Sequence, residues 1–405
     1  MGYQLKGAGM TLSTFQQMGV VQTPEGSRPS MICFDEDLPN EAIVHIWSSD
    51  RSDPPTAALF DLQWTSQDRA TMIPRVRFAP HQKNGEISPM VLTVEQSSEF
   101  FAFRASLVIQ KNKSLRGSWT GSNGKKGTFK YRASLPTDQR VIATQCESWG
   151  AFKSWATRSR DEGGAAIFRG HGNSQFRLTT TLHRGGRTRL ERYCSETLHT
   201  FKAHVEAILG IRIDMFSGDD YSMLLGLAQH HGLPTPLLDW SDSPYVASFF
   251  AFSDALESAA TRPSATHVRI YALTKAFIDA NFSQTVVLPY MTPYIAPLTI
   301  SARMNPRLYA QQGKFLVTNI ADLERHFCET QTRQNLTALT AADVPISCAG
   351  EALQDLKFMG LTAATMFPGL DGVGRMMRHE MSFRRPISRP SGKPSPMPID
   401  LVAED

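Results

Sequence analysis

Two short segments far apart in the chain combine charged groups with glycine, proline and apolar neighbours. They are Phe168-Arg169-Gly170-His171, with Arg177 and Arg184 behind it, and Gln229-His230-His231-Gly232-Leu233-Pro234 running on to Leu237-Leu238-Asp239-Trp240-Ser241. A guanidinium at a strand end can fork onto a phosphate or a carboxylate. The glycine after it lets the backbone turn sharply or approach a ligand. A carboxylate beside buried leucines is costly unless paired or hydrogen-bonded, so Asp239 needs a dedicated partner. Arg169 is the leading candidate, and a purely structural salt bridge explains that pair equally well. Trp240 is either a stacking wall or core, with core favoured for an isolated tryptophan. His230 and His231 adjoin a helix end. Adjacent histidines diverge on a helix, so a ligand contact or a C-terminal cap is expected of them, and no metal. Gln311 and Gln312, before a glycine and a strand, suit a sugar hydroxyl or carboxamide, or simply cap the strand.

These residues need rigid elements to position them. An amphipathic helix is expected over 145–157, with Trp149, Phe152 and Trp155 on one face, then a buried strand over 165–169. A long helix over 188–209 carries an apolar stripe of Leu190, Tyr193, Leu198, Phe201, Val205 and Ile208. A helix over 221–231 is stopped by Gly232 and Pro234. Ser243-Pro244 reads as cap and first turn of a helix over 245–256. Strands are expected at 267–273 and 313–318, and helices at 321–328 and 351–359. Upstream, short apolar or alternating stretches at 42–47, 57–64, 72–78, 90–94, 100–109, 115–119 and 128–131 are separated by turn residues such as Asn84-Gly85. The fold class expected is α+β: a small antiparallel β domain, barrel or sandwich, over residues 1–136 as an accessory recognition unit. A mixed α+β domain follows over 140–383, with a disordered tail over 384–405, rich in Pro and Ser.

Composition narrows the function classes. The 405 residues are 41% hydrophobic and 20% charged, enough for two domains. The 42 basic residues against 38 acidic leave a net charge of +4, so nucleic-acid binding is permitted but not favoured. Arg169, Arg177, Arg184, Arg187, Arg189 and Arg192 do cluster, either as a solvated face or as an anion site. Five scattered cysteines, with no zinc spacing, read as reduced thiols of a cytoplasmic protein. No secretion signal or membrane span is expected. Nucleophile-elbow, Walker, dinucleotide-fingerprint and zinc-protease motifs do not occur.

The segments Phe168-Arg169-Gly170, Gln175-Phe176, Leu182-His183-Arg184, Leu227 to Thr235, Leu238 to Ser241, Ala247 and Phe250 together resemble the FRG domain of bacteria and phages. The later 307–315 and 361–370 are similar to that family's C-terminal part, so the resemblance covers about 145–374. His171 stands where the family often has Gln, and Phe176 where Trp is common. The pattern is also distantly similar to ADP-ribosyltransferases, which place an aromatic-Arg-Gly at one strand end and a Ser-x-Ser element at another. That likeness implies that Arg169 contacts NAD phosphates, with Ser241, Ala247 and Phe250 matching the second element and Asp239 standing at its leading serine. The superfamily's third element, a glutamate, has only Gln311 and Gln312 in the corresponding region. Its implied function is an NAD-directed transferase-like or NAD-cleaving effector in bacterial conflict or phage defence, with NAD as substrate. In that role Arg169, Asp239 and Gln312 act on the ligand, while Gly170, His171, Arg177, Arg184, His230, His231, Trp240 and Ser241 bind it. The barrel would recognise a macromolecular acceptor. A nucleotide-sensing module without catalysis, or a nucleic-acid-acting protein, are the other readings.

Overall fold

The computed structural model of the chain describes residues 15–48, 53–81, 86–122, 124–135, 138–259, 265–282, 290–300 and 313–383. Gln311, Gln312 and the tail over 384–405 lie outside the described residues.

Short apolar or alternating stretches with turn-rich connections build the first unit. Strands β1 (Gln16–Thr23), β2 (Gly26–Asp35), β3 (Leu38–Ile46), β4 (Thr56–Trp64), β5 (Arg69–Pro80), β6 (Ile87–Pro89), β7 (Arg104–Ile109), β8 (Leu115–Thr120) and β9 (Lys126–Arg132) form one antiparallel sheet. Pairing of β1 with β9 and of β4 with β5 closes eight of them into a barrel, and β6 extends the end of β5. The barrel alternative is therefore the right one. Ile32, Phe34, Val44, Phe60, Met72, Leu107 and Tyr131 fill its interior, as expected of a small eight-stranded barrel.

Three expectations here need correction. Residues 16–35, which lie before the first expected strand, form β1 and β2. Pro29 escapes the usual strand penalty because β2 pairs with β3 only from Ser30 onward. The stretch 90–94 is not a strand but leads into a helix, Val94–Ala102, started by a capping box between Thr93 and Gln96. That helix occupies the first residues of the strand expected from 100, so β7 begins only at Arg104.

The second unit is a seven-stranded sheet of β10 (Ala143–Gln145), β11 (Ala165–His171), β12 (Leu237–Ser241), β13 (His267–Thr274), β14 (Ile295–Leu298), β15 (Gly313–Thr318) and β16 (Leu339–Pro345), in the order β10-β16-β13-β11-β12-β15-β14. Only β10 and β16 run parallel. One face packs against helices Trp149–Asp161, Pro244–Glu257 and Ala349–Phe358. Farther along the sheet, Leu237, Phe315 and Val317 pack against the helical run from Leu190 to Leu209 and the helix Gly218–His230. The opposite face buries Ile167, Leu238, Trp240, Tyr271 and Leu273 with Phe277 and Phe327. Helix 188–209 is realised as Leu190–Arg192, a π-helical Tyr193–Leu198 and His199–Leu209. Ile208 at its end is 80% exposed, so the apolar stripe ends at Val205.

Arginines join the two units. Arg187 pairs with Asp37 at 3.0 Å, Arg189 with Glu41 at 2.6 Å and Arg192 with Asp35 at 3.1 Å. Thr188 Oγ1 donates to the carbonyls of Phe15 and Phe34. Gln16 donates to the Asn319 carbonyl and accepts from the Ala321 amide. Arg189 and Arg192 are therefore neither a solvated face nor an open anion track, because barrel carboxylates already hold them, while Arg187 stays exposed beside Asp37.

Gly170 is explained by packing. A Cβ there would lie 1.9 Å from the Ala247 carbonyl oxygen and 2.9 Å from Ala251 Cβ, so its absence lets the helix Pro244–Glu257 lie directly on β11. Gly172 makes the same allowance beside Asp254. Gly170→Ala should destabilise the protein by about 3 kcal/mol through overpacking. Gly150→Ala, whose Cβ meets nothing closer than 3.8 Å, should be neutral or slightly stabilising. Urea unfolding midpoints of the two variants check this, and equal midpoints would contradict the close-packing account.

Candidate functional site

β11 runs beside β13 as far as His171, but it pairs with β12 only at Phe168 and Ser241. Beyond that point the two strands part. Arg169 spans the gap: its Nη1 donates to the main-chain carbonyl of Asp239, and it stands 3.9 Å from the Asp239 carboxylate. The guanidinium thus takes over where the strand ladder stops. The parted strands open a cleft of about 970 Å³, lined by Arg169, His171, Gln229, Asp239, Phe250 and Asp322 among others. A cleft at the upper end of the usual range for ligand sites, with a few convergent polar groups, is a candidate binding site.

Asp239 has a second and closer partner. Gln229 Nε2 donates to both carboxylate oxygens at 3.2 and 3.0 Å, and Gln229 Oε1 in turn accepts from Thr235. The side chain of Asp239 is 55% exposed, into the cleft. Desolvation by the surrounding walls raises its pKa, while Arg169 and Gln229 oppose that rise. The dedicated partner expected for Asp239 is therefore shared between a guanidinium and an amide.

Arg169 Nε donates to His171 Nε2 at 3.2 Å, which assigns the ring proton of the neutral histidine to Nδ1. Burial, then the charges of Arg169 and Arg184, push the His171 pKa down, and the Phe176 carbonyl opposes them. His171 is consequently a neutral acceptor that orients Arg169. Its ring also meets Tyr271 edge-on at 5.2 Å. Burial also lowers the Arg169 pKa, with Asp239 opposing that shift and the nearby Arg184 adding to it.

The other expected residues divide clearly. Arg177 lines the cleft but is held by Asp322 at 2.9 Å. Arg184 lies exposed at the rim, and among the described residues no acid pairs with its guanidinium. His230 lines the cleft, whereas His231 caps the helix Gly218–His230 and is exposed. Trp240 is 3% exposed and belongs to the core, with one edge reaching the cleft. Ser241 is buried, and its Oγ accepts from the Ser243 amide, the residue that caps the helix Pro244–Glu257. Gly170 borders the cleft, but its missing side chain serves helix packing.

Several further residues at or around the cleft were not among the expected site residues, although His183, Phe250 and the stretch containing Phe367 belong to the motifs that carry the family resemblance. Phe250 and Phe367 meet edge-to-face at 5.8 Å on one wall. His183, fully buried with a pKa lowered by desolvation to about 3, bonds Thr180 through Nδ1. Arg140 fixes the loop after His171 by donating to the carbonyls of Ser174 and Phe176 at 3.1 and 2.9 Å, anchored itself on Glu324. Among the described residues, His183 Nε2, Trp240 Nε1 and Arg177 Nη1 are buried, belong to cleft-lining side chains and have no hydrogen-bond partner. Buried polar atoms left in this way carry a desolvation cost that a polar ligand can relieve.

No curated protein matches the chain. Among solved structures it is similar to a redesigned beta barrel, at 11% identity over 31% of this chain and 96% of that one, with a TM-score of 0.21. It is similar also to a de novo designed fluorescence-activating beta barrel, at 12% identity over 31% and 99% of the two chains, with a TM-score of 0.20. The family model for the FRG domain matches residues 164–260, the stretch that supplies Arg169, His171, Arg184, Gln229, His230 and Asp239. The mixed α+β region behind the barrel therefore contains an FRG domain.

Proposed function

We propose that the cleft binds NAD and acts as an ADP-ribosyltransferase-like or NAD-cleaving centre. The observation that carries the reading is the meeting of Arg169 and Asp239, seventy positions apart, in one cleft of about 970 Å³. Arg169 and Arg184, the latter without an acidic partner among the described residues, supply two positive charges for a diphosphate. Arg169 is pre-oriented by His171, so little ordering cost falls on ligand binding. Phe250 and Phe367, also in the cleft lining, offer aromatic surface for a ring.

Cleavage at the nicotinamide end breaks the bond from ribose C1′ to the ring nitrogen. The electron pair leaves with nicotinamide and neutralises its pyridinium charge, and C1′ becomes oxocarbenium-like until water or an acceptor nucleophile attacks. A carboxylate near that carbon stabilises the developing charge. In this reading Asp239 is that carboxylate, and Gln229 fixes its orientation. Phage defence or another bacterial conflict is a setting in which depleting NAD or modifying an acceptor would serve. The same pocket without turnover would be a nucleotide sensor, and the experiments separate the two.

Purified protein incubated with NAD, with and without candidate acceptors, should release nicotinamide. Arg169→Ala and Asp239→Asn should each lower that rate by about 100-fold or more. Arg184→Ala should weaken NAD binding with a smaller effect on the rate at saturation. Thermal stabilisation by NAD with no nicotinamide released would point to the sensor. Neither stabilisation nor release would remove the NAD reading altogether.

The pH dependence has a definite sign. A raised Asp239 pKa means that the ionised form is lost, as pH falls, at a higher pH than for an ordinary aspartate. The acid limb of the rate should therefore lie above the usual aspartate range and be absent from the residual activity of Asp239→Asn. A limb that persists unchanged in that variant would assign the titration to another group.

A further inference from the structure

The barrel holds a second cavity, remote in kind from the cleft. It encloses about 190 Å³ and is walled by Phe60, Phe103, Trp119, Phe129 and Tyr131, with Phe100 contributed by the helix Val94–Ala102. The rings are ordered against one another. Phe103 stacks on Trp119 at 5.7 Å, and Phe60 and Phe103 are tilted at 5.8 Å. The Tyr131 hydroxyl is already bonded to Ser30 Oγ at 2.8 Å, so the aromatic wall presents little unmet polarity. An apolar cavity of about 150 Å³ stays dry and accepts a benzene-sized guest. The barrel cavity is somewhat larger, and leaving it empty costs stability in proportion to its volume.

Arg77 breaks the apolar pattern. It stands directly opposite Ala58 in the β4–β5 pairing, and Ala58 packs into the barrel interior, so the arginine belongs to the inward-facing row. It lines the cavity and is only half-buried. Its neighbour Arg75 is paired with Glu41 and Asp61, but among the described residues Arg77 has no acid or hydrogen-bonding partner for its guanidinium. An inward arginine without a counter-ion, at the mouth of an aromatic pocket, is matched by one negative charge on an apolar body. The helix Val94–Ala102, which provides Phe100, has no fully buried residue and holds itself together by its own capping box, so it can be displaced at little cost in packing.

We propose that the barrel binds a small organic monocarboxylate, with a body about the size of one aromatic ring inside the barrel and its carboxylate on Arg77. This site is independent of the cleft and of the reaction assigned there. The probe is benzoate, with toluene as its uncharged counterpart, titrated into the full chain and followed by calorimetry and by the fluorescence of the tryptophans. Benzoate should bind saturably, and Arg77→Met should weaken it about tenfold or more while leaving toluene unchanged. Arg77→Lys, which keeps the charge, should restore most of the affinity. Ala58→Leu, which fills part of the cavity, should weaken both probes, and Arg169→Ala should affect neither. Absence of saturable binding at millimolar concentrations would overturn the proposal. So would benzoate binding that responds to Arg169→Ala and not to Arg77→Met, because the carboxylate would then sit in the cleft.

Discussion

Arg169 bridges the point where the central sheet comes apart. β11 and β12 begin as neighbours at Phe168 and Ser241, and past that pair no ladder bond holds them. The guanidinium does so instead, reaching across to the Asp239 carbonyl while His171 fixes its other side. A side chain thus substitutes for backbone pairing and keeps two strands at a spacing that leaves room for a ligand. Without the bridge, the carbonyl of Asp239 loses a charge-assisted partner, and β11 and β12 are held only by their other neighbours, β13 and β15.

The surrounding structure stabilises this arrangement in layers. Gly170 and Gly172 allow the helix Pro244–Glu257 to lie on β11, and that helix also brings Phe250 to the cleft wall. Behind β11, the buried pair of Arg269 and Asp343, at 2.7 Å, lies in the same network as Glu324 and Arg140. Arg140 in turn holds the loop that leads from His171 to Arg177. The barrel contributes through Gln16, which pins the segment before Asp322, the partner of Arg177. The cleft is therefore built by both units, and the hydrogen bonds of Gln16 across their junction help to fix its wall.

Much of this was legible in the sequence wherever the signal was local. The apolar stretches of β3 and β4, the Ser243-Pro244 helix start and the glycine stop after His231 each follow from neighbouring residues, and each is present. Arg169 and Asp239 do meet, but the reason the sequence offered does not hold, because Asp239 follows two buried leucines and yet turns its carboxylate into the open cleft, 55% exposed. What escaped depends on distant partners. Gln229 reads as an ordinary helix amide until Asp239 is folded against it, and Arg187, Arg189 and Arg192 read as a basic patch until the barrel supplies their carboxylates. β1 and β2 escaped for a local reason, because Gly26 and Pro29 mask a strand that lies between two partners. Gly170 carried the opposite lesson: its role is the approach of a helix, where the sequence offered only a choice between a turn and a ligand.

A crystal structure of the full chain with ADP-ribose is the most direct test of the central claim. The account predicts the diphosphate within hydrogen-bonding distance of Arg169 and Arg184, in the gap between β11 and β12, with a ribose beside Asp239. A bound ADP-ribose whose phosphates lie outside that gap, with Arg169 still directed only at Asp239, would contradict it.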